Sequence, residues 1–165
     1  MSSLYAIPRL YIKGARSDEE YLVEKGGDVY ERSRSCPEAS RCFGKVIYGV
    51  ELESIIDLVG KRVARSFIVE YPDKPGEGLL VPEGVYVEPI PVYGRRAVVE
   101  VREGEEVRQG QVIGTVLTGK YEVRRVRSHV EGIVVYIYSS PLGPPDENIV
   151  VIVPRESVKR VKILG

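Results

Sequence analysis

Lys120 is the residue whose position most invites chemistry. It lies in Thr118-Gly119-Lys120-Tyr121, between a strand-like run from Gln111 to Thr118 and a return run from Tyr121 to Ser128. Glycine in the first central position of such a turn is the signature of a two-residue type II′ hairpin. The lysine is therefore expected at the tip, with its ammonium extended into water. Nothing around it offers the burial that would activate a lysine nucleophile.

Other chemistry-bearing residues are scattered. Arg124, Arg125 and Arg127, with Lys120 and His129, form a local basic cluster that could meet a phosphate or an acidic partner. Glu122 and Glu131 interleave with it, so a solvated strand face laced with ion pairs is the favoured reading. Cys36 and Cys42, with five residues between them, are too few for a tetrahedral metal site, and the Cys-x-x-Cys redox spacing is absent. A disulfide between Cys36 and Cys42 is slightly favoured over two free thiols. His129 is the sole histidine and has no evident nucleophile beside it. No nucleophile elbow, phosphate loop or dinucleotide fingerprint is present, so no catalytic residue and no metal ligand is nominated.

The elements that would position these residues are mainly strands. Val, Ile and Tyr are abundant, and 17 Gly and 11 Pro punctuate the chain. One helix is predicted over 51–60, where Leu52, Ile55, Ile56 and Val59 recur at helical spacing and Gly60 follows as a stop. Before it, residues 4–12 read as a strand interrupted by Pro8, and residues 33–42 as a polar loop. Tyr21 to Arg32 reads as a hairpin turning at Gly26-Gly27, or alternatively as a short helix capped by Ser17 and Glu20. Residues 71–78, with two prolines and two glycines, look like a linker. That divides the chain into an α+β part at 1–78, a β domain at 79–155 and a C-terminal strand at 156–165, which could pack on either part.

Within the β domain, Gly104 and Gly110 mark two successive tight turns, each wanting the positive φ that glycine adopts at no steric cost. In the return strand, Tyr121 and Val123 differ in parity from Val126, Ser128 and Val130. A β-bulge at Arg124-Arg125 would bring both sets to one face. Val92-Tyr93-Gly94 and Val130-Glu131-Gly132 lie 38 residues apart, each ahead of an apolar run, which suggests two related halves.

Residues 103–120, EGEEVRQGQVIGTVLTGK, resemble the first half of biotinyl and lipoyl carrier domains, and residues 128–137, SHVEGIVVYI, are similar to the segment after their hairpin. The resemblance runs from Glu88 to about Val153. It implies a flattened barrel-sandwich hybrid with Gly104, Gly110, Gly119 and Gly132 at its turns, and it would make Lys120 the attachment site for biotin or lipoate. The chain departs from the pattern in three places. Gly119 and Tyr121 flank Lys120 where those families place Met or Asp. The span from Lys120 to Gly132 is one residue longer. Residues 139–148 replace the second glycine turn. A modifying ligase reads the tip and its flanks, so the departures weigh against a cofactor. The whole chain is also similar to a family of uncharacterised archaeal proteins that end in such a domain.

Acids and bases balance at 24 each, which gives no global electrostatic case for nucleic acid or a membrane surface. No apolar run approaches the ~20 residues of a membrane span, and the N-terminus lacks a signal-peptide core, so a cytoplasmic location is the default expectation. Sixteen Arg against eight Lys, with Gln109, Gln111 and Asn148 as the sole amides, match a thermophile pattern. The leading expectation is a non-enzymatic binding or scaffold module with no cofactor and an unidentified protein partner. Two alternatives stand beside it: a carrier modified on Lys120, and an enzyme or small-ligand protein with its site between the two parts.

Overall fold

The computed structural model describes residues 7–37, 41–49 and 52–165. It falls into two compact units. One comprises residues 1–85 with 156–165, the other residues 86–155.

The first unit is a closed barrel. Its strands are β1 (Arg9–Lys13), β2 (Tyr21–Gly26), β3 (Val29–Ser33), β4 (Cys42–Val46), β7 (Phe67–Glu70), β8 (Glu77–Val81) and β16 (Lys159–Leu164), in the order β1-β4-β2-β3-β16-β8-β7. Tyr11, Leu22, Tyr30, Phe43, Ile68, Val161 and Ile163 form its buried core. The Tyr30 and Phe43 rings meet edge to face at 5.6 Å, a favoured aromatic geometry. Pairing of β1 with β7, with Tyr11 opposite Ile68, completes the ring. A barrel has no free edge, so the C-terminal strand is a structural part of this unit. It runs parallel to β3, with Ile163 opposite Tyr30, and antiparallel to β8, with Val161 opposite Gly78.

Three expectations for this part are corrected. Residues 71–76 are the turn of the β7–β8 hairpin, in which Phe67 pairs with Val81 and Glu70 with Gly78. The Pro- and Gly-rich stretch therefore reverses the chain inside one unit and does not divide two, and the N-terminal part is completed by residues from the C-terminus. Second, the helix expected over 51–60 is a single turn, α1 (Leu52–Ile55), apart from Glu51, which lies outside the described residues. Ile56 and Asp57 leave it to form β5 (Ile56–Asp57), paired with β6 (Arg62–Val63). The Asp57 carboxylate accepts from the Gly60 N–H at 3.0 Å, a local bond that competes with the helix ladder. Val59, assigned to the inner face of that helix, is 96% exposed.

Third, of the two readings of residues 21–32 the hairpin holds and the helix does not, and Ser17 caps a turn. Its hydroxyl accepts from the N–H groups of Glu19 and Glu20 at 3.1 and 3.2 Å. The Tyr21–Arg32 stretch is the β2–β3 hairpin, reversing at Gly27 and Asp28, both at positive φ. Of the strand read over 4–12, residues 9–12 lie in β1 and 4–6 are outside the described residues. Of the loop at 33–42, residues 38–40 lie outside them.

Cys36 and Cys42 are joined by a disulfide, with their Cα atoms 6.0 Å apart. Closing so short a loop restricts the unfolded chain by about 2.4 kcal/mol in the chain-entropy account. Reduction is therefore expected to lower the unfolding free energy by about 2 kcal/mol. Urea titrations with and without a thiol reductant check this, and an unchanged midpoint would show that the bond does nothing for stability.

The second unit consists of two sheets around one core. Its strands are β9 (Glu88–Gly94), β10 (Arg96–Val99), β11 (Glu106–Val107), β12 (Val112–Leu117), β13 (Val123–Arg127), β14 (Gly132–Ser139) and β15 (Asp146–Val153). One sheet has the order β10-β12-β13, the other β11-β14-β15-β9. Side chains from both, including Ile90, Val92, Val107, Ile113, Val116, Val134, Val150 and Ile152, make up the core. Strand β9 alternates strictly, with Glu88, Ile90, Val92 and Gly94 buried. It pairs with β15 alone, so Pro89 and Pro91, which lack an N–H, sit where no second ladder needs one.

The two glycine turns are near copies. Glu105 N–H donates to the Arg102 carbonyl and Gln111 N–H to that of Arg108, both at 3.1 Å. Gly104 and Gly110 stand third in these turns, each with φ of +88°, the type II arrangement that glycine favours. The Glu105 carboxylate accepts from Arg102 N–H at 3.0 Å, and the Gln111 amide oxygen from Arg108 N–H at 2.9 Å. The turns dock through Gly104 N–H on the Val134 carbonyl and Gly110 N–H on that of Ser128, each at 2.6 Å.

The bulge predicted at Arg124-Arg125 is not there. Strand β13 is regular, and the register shift falls on its partner between Val112 and Gly114, which places Ile113 as the extra residue. The reason is that the two apolar sets of the return strand do not share a face. Val126 packs on the core and Ser128 is buried, whereas Val123 is 68% exposed. The paired Val-x-Gly motifs also differ in role. Gly94 ends β9, and Gly132 begins β14.

Candidate functional site at the hairpin tip

Strands β12 and β13 hold Lys120 at the exposed end of their hairpin. The loop has three residues and not the two expected. Thr118 N–H donates to the Glu122 carbonyl at 2.8 Å, and Tyr121 N–H donates to the Thr118 carbonyl at 2.9 Å. The Thr118 hydroxyl oxygen accepts from Lys120 N–H and Glu122 N–H at 3.3 and 3.1 Å. Tyr121, not Gly119, carries the positive φ, at 63°. This is a type I turn followed by a left-handed residue, the common three-residue hairpin. A left-handed tyrosine costs about 1–2 kcal/mol. The Arg95 guanidinium lies 4.6 Å from the Tyr121 ring centroid, and such a contact returns roughly 0.5–1 kcal/mol at an exposed site.

One side of this hairpin is a cleft of about 680 Å³. Tyr93, Gly94, Arg95 and Arg96, from the end of β9 and the start of β10, form one wall, and Thr118 and Gly119 form the base of the loop. Pro144 and Pro145 from the β14–β15 connection supply another wall. Among the described residues, no carboxylate lines it. The nearby Asp146 carboxylate accepts from the Ala97 N–H at 2.9 Å. A second, smaller hollow shares Thr118 and Gly119 with the cleft and is bordered also by Lys120, Glu122 and Arg124. There Arg124 pairs with Glu122 at 3.1 Å.

Three members of the basic cluster read from the sequence are engaged separately. Arg124 is matched by Glu122, Arg127 donates to the Gly110 carbonyl at 2.9 Å, and His129 Nε2 lies 2.9 Å from the buried Glu88 carboxylate. Tyr86 donates its hydroxyl to the same carboxylate, and that bond, with a smaller contribution from burial, raises the Tyr86 pKa above the ordinary phenol value. Sequence reasoning missed the Arg95-Arg96 pair. Its signal, two arginines directly after Gly94, is faint without knowing that β9 ends there beside the Lys120 loop.

Of the turn glycines, Gly104 and Gly110 are needed for conformation. Gly132 is needed for space, because a Cβ there would overlap the Val153 carbonyl oxygen and stand 2.9 Å from Ile152 Cγ2. A Cβ at Gly119 would meet nothing within 4 Å. Among the described residues, no three His, Cys, Asp or Glu side chains are placed to share a metal ion. Nor, among them, is any helix long and apolar enough to cross a membrane.

Fold and tip together define a mainly β protein with a closed barrel and a lysine-tipped hairpin. The chain belongs to a family of uncharacterized proteins conserved in archaea, DUF2118, whose model matches residues 5–155. It is also similar to "Uncharacterized protein MJ0859" of Methanocaldococcus jannaschii, with 26% identity over 162 residues, covering 95% of this chain and 97% of that protein.

Proposed function

We propose that the chain is a non-enzymatic binding module whose second unit is of the biotinyl/lipoyl type and whose Lys120 stays unmodified. The strand orders β11-β14-β15-β9 and β10-β12-β13 support the fold assignment, as two sheets over one core with the lysine hairpin joining β12 to β13. The observation that carries the function is the tip itself. Tyr121 follows the lysine in a left-handed conformation with Arg95 against its ring. A modifying ligase must dock on those flanks, and a bulky, cationic stack replaces the residues that carrier families present there. The adjoining cleft gives the module a place to bind a ligand.

The runner-up, a carrier modified on Lys120, is favoured by the exposure of that lysine at the loop's end. Incubating the full chain with a biotin ligase plus ATP and biotin, and separately with a lipoate ligase and lipoate, tests the choice. No incorporation is expected. Incorporation that Lys120→Arg abolishes would replace the binding-module reading with the carrier.

A further inference from the structure

We infer that the cleft beside the hairpin binds a small ligand made of an oxyanion, a phosphate or carboxylate, carried on a flat apolar body. The inference rests on the binding-module reading and names the ligand class. A volume of about 680 Å³ lies within the range of small-molecule sites. Its chemistry is one-sided. Arg95 and Arg96 both line it, and no carboxylate among the described residues does.

Arg96 makes no ion pair among the described residues, and Arg95 is held against the Tyr121 ring at 4.6 Å. A stacked guanidinium keeps its N–H edge free for an acceptor, and fixing it beforehand reduces the ordering cost of binding. Two adjacent guanidinium forks suit a planar or tetrahedral oxyanion. Asp146, the acid next to this wall, accepts from the Ala97 N–H and, among the described residues, makes no ion pair with Arg95 or Arg96. The remaining surface fits the apolar body. Tyr93 is 56% exposed there, and Pro144 and Pro145 face the cleft with no polar side chain. The second hollow at the same hairpin lacks this character, since its arginine already has a carboxylate partner.

Amide shifts of the isotope-labelled full chain, followed during titration with phenyl phosphate, test the inference, with phenol and inorganic phosphate as comparison probes. Phenyl phosphate is expected to give saturable shifts at Gly94, Arg95, Arg96 and Gly119 with millimolar or tighter affinity. Phenol is expected to bind at least about tenfold more weakly, and inorganic phosphate to compete at higher concentration. Arg96→Gln is expected to weaken phenyl phosphate by about tenfold, and Arg96→Lys by less, because the charge remains while the fork is lost. Arg96 is exposed, so the variant should keep the parent spectrum elsewhere. Absent or unsaturable shifts, equal affinity for phenol, no competition by phosphate, or no effect of Arg96→Gln would each overturn it. An adduct on Lys120 would instead overturn the binding-module reading and leave these shifts in place, so the two failures are separable.

Discussion

Replacing Arg32 by Ala is expected to cost the barrel unit about 3 kcal/mol or more, the usual penalty for stranding a buried charge. Arg32 stands on β3 facing the barrel interior, two residues beyond Tyr30. Its guanidinium grips Glu70 on β7 with two bonds, Nη1 to Oε1 at 2.7 Å and Nη2 to Oε2 at 2.5 Å. Nη1 also donates to the Tyr11 hydroxyl at 3.3 Å and lies 3.5 Å from Glu20, to which Tyr11 donates in turn. The Gly76 N–H completes the group, 2.9 Å from Glu70 Oε2. Glu70 is 5% exposed, so in the intact barrel its carboxylate relies on these partners more than on water.

The electrostatics of this group agree in sign. Burial raises the Glu70 pKa, but the bonds from Arg32 and Gly76 and the charges of Arg32 and Arg9 outweigh it, and the carboxyl is held below its ordinary value. A depressed carboxyl stabilises the fold fully above the unfolded value, and that contribution is lost as pH falls through the folded value. The Arg32→Ala deficit should therefore be largest near neutral pH and shrink below the ordinary carboxylate range. Tyr11 responds in the opposite sense. Burial, then the Glu20 bond, raises its pKa far above the ordinary phenol value, so its contribution is lost as pH rises past that value. Urea unfolding followed by circular dichroism measures the loss, and hydrogen exchange of β3 and β7 peptides localises it to the barrel. The double variant Arg32→Met/Glu70→Leu should recover much of it, because an apolar pair leaves no stranded charge. A loss below about 1 kcal/mol in Arg32→Ala would place the pair with ordinary surface ion pairs, contrary to its burial.

Gly132→Ala is expected to destabilise the second unit by about 3 kcal/mol, at the upper end of overpacking costs. The obstacle is backbone, not a side chain that could swing away. The added methyl would run into the Val153 carbonyl oxygen, with Val153 C at 3.0 Å and Ile152 Cγ2 at 2.9 Å. Residue 133 pairs with Val153, so relief requires β14 and β15 to part where Val134 and Ile152 join the core. Gly119→Ala is the contrasting control. It has open space and no positive φ, and it should change stability by less than about 0.5 kcal/mol. Exchange of β14 and β15 amides, compared between the two variants, decides the matter. Equal protection would mean the strands absorb the methyl without separating.

These effects also show what the sequence could and could not disclose. Gly104 and Gly110 were readable because a positive φ favours one residue type, and the turn that needs it leaves glycine behind. The place of Lys120 was readable for a different reason, since turn residues between two strand-like runs mark a hairpin whatever its type. The type of that hairpin was not. Thr118-Gly119 suits a type II′ turn on paper, and nothing local announces that Tyr121 takes the left-handed position. The helix over 51–60 failed because spacing alone cannot see Asp57 bonding to Gly60 or Ile56 pairing with Val63.

Barrel closure was invisible for a different reason. Strand β16 reads as a strand, but Ile163 pairs with Tyr30 and Arg160 with Leu79, 133 and 81 positions earlier, and no local signal selects them. Arg32 and Glu70, 38 positions apart, are likewise unremarkable charges until the barrel brings them together. Arg95 and Arg96 acquire meaning only when the β14–β15 connection supplies the opposite wall of their cleft.

The central claim is that Lys120 serves a binding module and bears no swinging arm. The intact mass of the protein isolated from its native archaeal cells, taken across several growth conditions and followed by peptide mapping of residues 112–127, addresses it most directly. The account predicts the mass of the 18.4 kDa polypeptide with an unmodified Lys120 throughout. A biotinyl or lipoyl adduct on that residue in any condition would contradict it.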